Sequence, residues 1–146
     1  MFNTCGVINV TCCFLGHDDT DVGLIKRLED TIEELIKEKG VDTFFVGNCG
    51  EFEKSVYQVL LNFRERYEHI NCYMVLSAKG EAEDCEKTIY PDKIDRIPKR
   101  FKLSHRNRWM VLKSDYMVAH ITHAWGEPPK FAEFAKRRFT NVIYID

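Results

Sequence analysis

The sequence predicts an α/β protein: a Rossmann-like, doubly wound, five-stranded parallel sheet in the order 3-2-1-4-5, with helices on both faces in three αβα layers. Three observations carry this. Short uncharged runs rich in β-branched and aromatic residues alternate with longer segments of helical apolar period. The connections are short, so right-handed crossovers and a winding reversal beside the first strand account for the order. Finally, strand-like runs stop at glycine turns that open directly into helices.

Residues 7–15 form the first strand, which leaves through Gly16, His17, Asp18 and Asp19. Over residues 22–39 the apolar positions Leu24, Ile25, Leu28, Ile32, Leu35 and Ile36 fall on one helical face, and Gly40 stands where a helix-ending glycine is expected. The stretch from Thr43 to Phe52 organises the chain. Its strand half carries no charge, as expected when both faces of a parallel strand are covered. Gly47 and Gly50 then let another group approach the backbone, and a helix starting near Glu51 aims N–H groups and its dipole at whatever sits above the turn. That is anion-site geometry, although glycines serve equally to turn a chain.

The second helix, residues 51–67, puts Phe52, Val56, Val59, Leu60, Phe63 and Tyr67 on its inner stripe, and residues 70–76 form the third strand. Residues 77–102 are polar, hold Tyr90-Pro91 and Ile97-Pro98, and show no sustained period, so they read as a functional loop or lid. A helix starts at Ser104-His105-Arg106-Asn107 and runs through Trp109, Met110 and Leu112. Residues 116–121 form the fourth strand. Pro128 or Pro129 suits the first turn of a last helix, with Phe131, Phe134 and Ala135 inward, and residues 141–145 form the fifth strand.

A chain of 146 residues makes one domain, spanning 1–146, with 45% hydrophobic and 30% charged residues as in an ordinary globular protein. A net charge of −2 counts against nucleic acid as a partner. Nothing resembles a signal peptide or a span of about 20 apolar residues, so the expectation is a cytoplasmic protein without membrane contact. The six cysteines show no zinc-type pairing. Cys12, Cys13 and Cys72 sit in apolar runs and read as reduced and buried. Cys49 lies in the glycine turn, where a helix start can activate a thiol. No metal or cofactor is required; His120 and His123, three residues apart on a strand, face opposite sides.

In such sheets ligands bind beyond the carboxyl ends of the strands, where the winding reverses. The candidate ligand-binding residues there are Gly16, His17, Gly47, Asn48, Gly50, Glu51, Arg106, Asn107, His123, Trp125 and Gly126. Several have a plainer role open to them. His17 can cap a turn, Asn48 can form an Asx-turn, and Glu51 can be a helix-end carboxylate rather than an acceptor for a ribose hydroxyl. Trp125 can stack a base or close the core. Arg106, at a helix start beside the long loop, is expected to touch ligand.

Four ordered segments resemble one family. Thr11-Cys12-Cys13-Phe14-Leu15-Gly16-His17, Phe44-Phe45-Val46-Gly47-Asn48-Cys49-Gly50-Glu51-Phe52, Arg106-Asn107-Arg108-Trp109-Met110 with Ser114-Asp115-Tyr116, and His123-Ala124-Trp125-Gly126 are similar to YpsA-like members of the SLOG superfamily, Rossmann-like proteins related to the LOG and DprA-like proteins. The resemblance spans nearly the whole chain. It implies a pocket for a nucleotide-derived small molecule, ADP-ribose-type signals of bacterial or phage defence included, and it implies no particular reaction. The chain departs from the family at Asp18, where many relatives have arginine, and at Glu127-Pro128-Pro129, where prolines remove N–H donors. The glycine-rich segment of the N-glycosidic-bond-cleaving relatives has no equivalent. Binding, by sensing or sequestration, is therefore the first expectation. The alternative is a small hydrolase of a nucleotide N-glycosidic or phosphate bond, with Glu51, Asp18 or Glu127 as its carboxylate. The apolar residues of the Trp109 helix suit a homo-oligomer as well as a core.

Overall fold

A computed structural model describes residues 9–78 and 87–145, and within them side-chain alternation along the strands decides the layering. In β1 (Thr11–Gly16), Cys12 and Phe14 join one apolar cluster while Cys13 and Leu15 join another. In β2 (Thr43–Val46), Phe44 and Val46 face the first cluster and Phe45 the second. A sheet with two apolar faces needs cover on both, and the helices supply it in pairs. On one face α1 (Leu24–Glu38) and α2 (Glu51–Arg66) bury Leu28, Ile32, Val56 and Leu60. On the other, α3 (Lys99–Leu112) and α4 (Glu127–Arg137) bury Met110, Val111, Phe131 and Ala135.

The remaining strands are β3 (Asn71–Val75), β4 (Thr88–Ile89), β5 (Tyr116–His120) and β6 (Asn141–Tyr144). All pairings are parallel, and the sheet has six strands in the order β4-β3-β2-β1-β5-β6. The expected order 3-2-1-4-5 is present as β3-β2-β1-β5-β6. The expected count of five is corrected by β4, a two-residue edge strand too short to show any alternation in sequence.

The stretch read as a functional loop or lid, 77–102, is not wholly irregular. Its described part holds β4, a 3-10 turn at Ile94–Arg96 and the first turn of α3. Pro98 sits at the N-cap of α3, and exposed Lys99, Arg100 and Phe101 follow, so that turn carries no apolar period. On α1, Ile25 is exposed, while Leu24, Leu28, Ile32, Leu35 and Ile36 are buried as expected. Residues 7 and 8 of the expected first strand, residues 79–86, Cys5 and Cys85 lie outside the described residues. Cys12, Cys13 and Cys72 are buried free thiols. Burial pushes Cys12 well above the usual thiol range and Cys13 up to about 12, which makes both poor nucleophiles. No helix among the described residues is long and apolar enough to cross a membrane.

Candidate functional site

The winding reverses between β1 and β5, whose last matched pair is Gly16 and His120. Beyond it, the chain from β1 turns toward α1 on one face and the chain from β5 toward α4 on the other, which opens a crevice. A cleft of about 250 Å³ lies there, bordered by Gly16, Asp18, Gly50, Arg106, Asn107 and Glu127. Gly16 is required by packing. A Cβ there would stand 2.7 Å from the Phe52 ring and 2.9 Å from the His120 Cβ.

The floor of the cleft is an ion pair that the sequence reading did not anticipate. Glu53 and Arg106 have side chains only 5% and 1% exposed, and Arg106 Nη2 donates to Glu53 Oε2 at 2.7 Å. Nη1 donates to Oε1 at 3.2 Å, and Asn107 Oδ1 accepts from Nε and Nη2 at 3.1 and 2.7 Å. Cys49 N–H also donates to Glu53 Oε1, at 2.7 Å. Burial pushes the Glu53 carboxyl above the usual range, and the Arg106 guanidinium and the Cys49 N–H offset this in part. Gly47 lies against this pair, and a Cβ there would overlap the guanidinium.

The α2 N-terminus is occupied from within the chain. Phe52 N–H donates to Asp18 Oδ1 at 3.0 Å, and a Cβ at Gly50 (φ 91°) would overlap the same carboxylate. Asp18 thus sits above the glycine turn, where the sequence geometry calls for an external anion. At the α4 N-terminus Gly126 has φ 99°, Pro128 and Pro129 follow within the first turn, and Glu127 Oε1 accepts from Asn107 Nδ2 at 3.3 Å. The prolines leave few N–H donors at that helix end.

His17 organises the β5–α4 loop. Its Nδ1 accepts from Thr122 N–H at 3.0 Å, so Nε2 carries the proton and donates to the Trp125 carbonyl at 2.9 Å. The His17 and His123 rings lie 3.5 Å apart by centroid, and Trp125 stacks on His123 at 4.1 Å. Trp125 is 71% exposed, which corrects the core reading and leaves its indole at the surface, on the loop that leads into Glu127.

Of the expected site residues, Gly16, Gly50, Arg106 and Asn107 border the cleft. Gly47 lies beneath them against Arg106, while His17 is buried and holds the loop that carries His123, Trp125 and Gly126. Asn48 Oδ1 accepts from the Cys49 thiol at 3.8 Å, and Cys49 is exposed at the cleft's border. Glu51 is not among the residues that border the cleft. Its side chain is 72% exposed and stands 3.9 Å from Lys54, so Glu53 is the inward glutamate of this helix. The signal for that was available, since Glu53 shares the inner stripe of Val56, Leu60 and Phe63. Among the described residues no three His, Cys, Asp or Glu side chains converge to hold a metal ion.

A larger cavity, about 600 Å³, lies at the opposite, amino ends of the strands beside Phe45, Tyr73 and Trp109. Three of its polar side chains are engaged within the chain: Asp115 accepts from Thr11 N–H, Asn71 from Lys87, and Thr43 donates to Asp42. The smaller cleft is the stronger candidate because it lies at the winding reversal and gathers the chain's glycine turns. The chain matches no protein-family model and no curated protein.

Proposed function

We propose that this chain binds a nucleotide-derived small molecule, of the ADP-ribose type or a related signalling nucleotide, in the cleft at the carboxyl ends of the strands. Binding serves sensing or sequestration, and membership of the SLOG superfamily belongs to the same proposal. The observation that carries it is a cleft at the winding reversal, bordered by glycines and by charged side chains and entered by the loop that His17 fastens, which also carries an exposed indole. The four segments that carry the family resemblance supply β1 and its exit, the β2–α2 turn, α3 with the start of β5, and the β5–α4 loop. Exposed Phe101 and Leu112 on α3 support self-association as the means of reporting a bound ligand. Hydrolysis is the second reading, and the carboxylates of Asp18 and Glu127 at the cleft favour it.

Chromatography separates the two readings. The protein, incubated for an hour with a tenfold excess of ADP-ribose and then heat-denatured, is expected to release that molecule intact. An enzyme of ordinary turnover, on the order of 10 per second, would consume the excess within seconds. Stoichiometric recovery after measured binding supports the binder. Loss of ADP-ribose that Asp18→Asn or Glu127→Gln abolishes would establish the hydrolase instead.

A further inference from the structure

Resting on the reading just proposed, we infer that Asp18 is a specificity-determining residue: it closes the cleft to phosphate, so that the ligand enters by an uncharged ribose with its phosphates held outside. Several of the groups that would ordinarily receive a phosphate here are already taken. Asp18 accepts the Phe52 N–H at the start of α2, and Glu53 accepts the Cys49 N–H of the same turn. Arg106 is 1% exposed and commits four of its five N–H groups to Glu53 and Asn107. At the start of α4 two prolines remove donors, and the Glu127 carboxylate faces the cleft with the exposed Lys130 ammonium 3.8 Å behind it as a partial counter-charge. The cleft therefore holds three carboxylates, Asp18, Glu53 and Glu127, and one guanidinium; Glu53 and Arg106 neutralise each other, so Asp18 and Glu127 set its negative character.

A phosphate brought into that space meets like charge and finds few donors. A ribose diol meets acceptors instead, because its hydroxyls donate to carboxylate oxygens in charge-assisted hydrogen bonds. Trp125, exposed on the loop that leads into Glu127, offers an aromatic face for a base outside the charged part of the cleft. Asp18 is the residue on which the choice turns. Glu53 is fixed by its buried partner and Glu127 by Asn107, whereas Asp18 lies directly over Gly50, where an incoming anion would have to sit.

Calorimetry with two probe pairs tests this, each pair differing in whether a ribose or a phosphate leads: adenosine against AMP, and ADP-ribose against ADP. The native protein is expected to bind the ribose-ended member of each pair at least about tenfold more tightly, and Asp18→Asn to narrow that ratio about tenfold by removing like-charge repulsion. Asparagine keeps an oxygen for the Phe52 N–H, so the helix start survives. Glu51→Gln, which removes one charge from the same turn outside the cleft, is expected to leave the ratio unchanged. Tighter or equal binding of AMP and ADP by the native protein overturns the inference and leaves nucleotide binding standing. So does a ratio that Asp18→Asn does not move, or that Glu51→Gln moves as much. No binding by any of the four probes overturns the proposed function and this inference together.

Discussion

Glu53→Ala is expected to destabilise the protein by about 3–5 kcal/mol in urea denaturation, because it leaves the Arg106 guanidinium buried without its counter-charge. Arg106→Ala falls in the same range for the mirror reason, so lost ligand binding in that variant reports the fold before it reports the site. Replacing both, with Glu53→Leu and Arg106→Met, is expected to cost less than either single change, since no unpaired charge then remains. The pair also has a pH signature. Burial raises the Glu53 carboxyl in the folded protein, so from the ordinary glutamate value of 4.5 up to the raised one the folded state binds more protons than the unfolded chain. Its contribution to stability therefore declines as pH rises through that window, and Glu53→Gln should remove that slope. A cost below about 1 kcal/mol for Glu53→Ala would show that the pair is solvated and that the cleft has no fixed floor.

Phe52→Ala is expected to cost about 3–5 kcal/mol and to loosen the cleft from a second direction. The Phe52 ring is fully buried, closes against Gly16, and stacks on His120 at a centroid distance of 5.5 Å. It thereby joins the start of α2 to the ends of β1 and β5, the strands that flank the crevice. Its removal should lower the thermal midpoint and also speed hydrogen exchange at the His17 amide, which donates to the His120 carbonyl at 2.8 Å. Destabilisation with unchanged exchange there would separate core packing from loop position.

The layers of this protein are legible in its sequence because each strand and helix writes its burial into a short period. Phe44 and Phe45 are adjacent and face opposite helices, and the stripe from Phe52 to Phe63 marks the inner face of α2. Periodicity fails where an element is too short to repeat its own period, as in β4, and where a helix begins on an exposed turn, as α3 does after Pro98. The site is less legible for a different reason. Its glycines are visible, but their cause at Gly47 and Gly50 is a side chain arriving from elsewhere: Arg106 in one case and Asp18 in the other. The Asp18 carboxylate reaches a backbone N–H 34 residues away, and Arg106 a carboxylate 53 residues away. Such pairings are made by topology, so local pattern marks the glycine turn without revealing that the chain fills it. Glu53 is the exception, since a charge on an apolar stripe announces a buried partner.

The proposed ligand site lies at the carboxyl ends of the strands, and amide chemical-shift mapping distinguishes it from the cavity at the amino ends. Titration of isotope-labelled protein with ADP-ribose is expected to shift the amides of Gly16, Asp18, Gly50 and Gly126 and the indole N–H of Trp125, while those of Phe45, Tyr73 and Trp109 stay in place. Shifts centred on Phe45, Tyr73 and Trp109 would instead place the ligand in the larger cavity on the amino ends and overturn the proposed site.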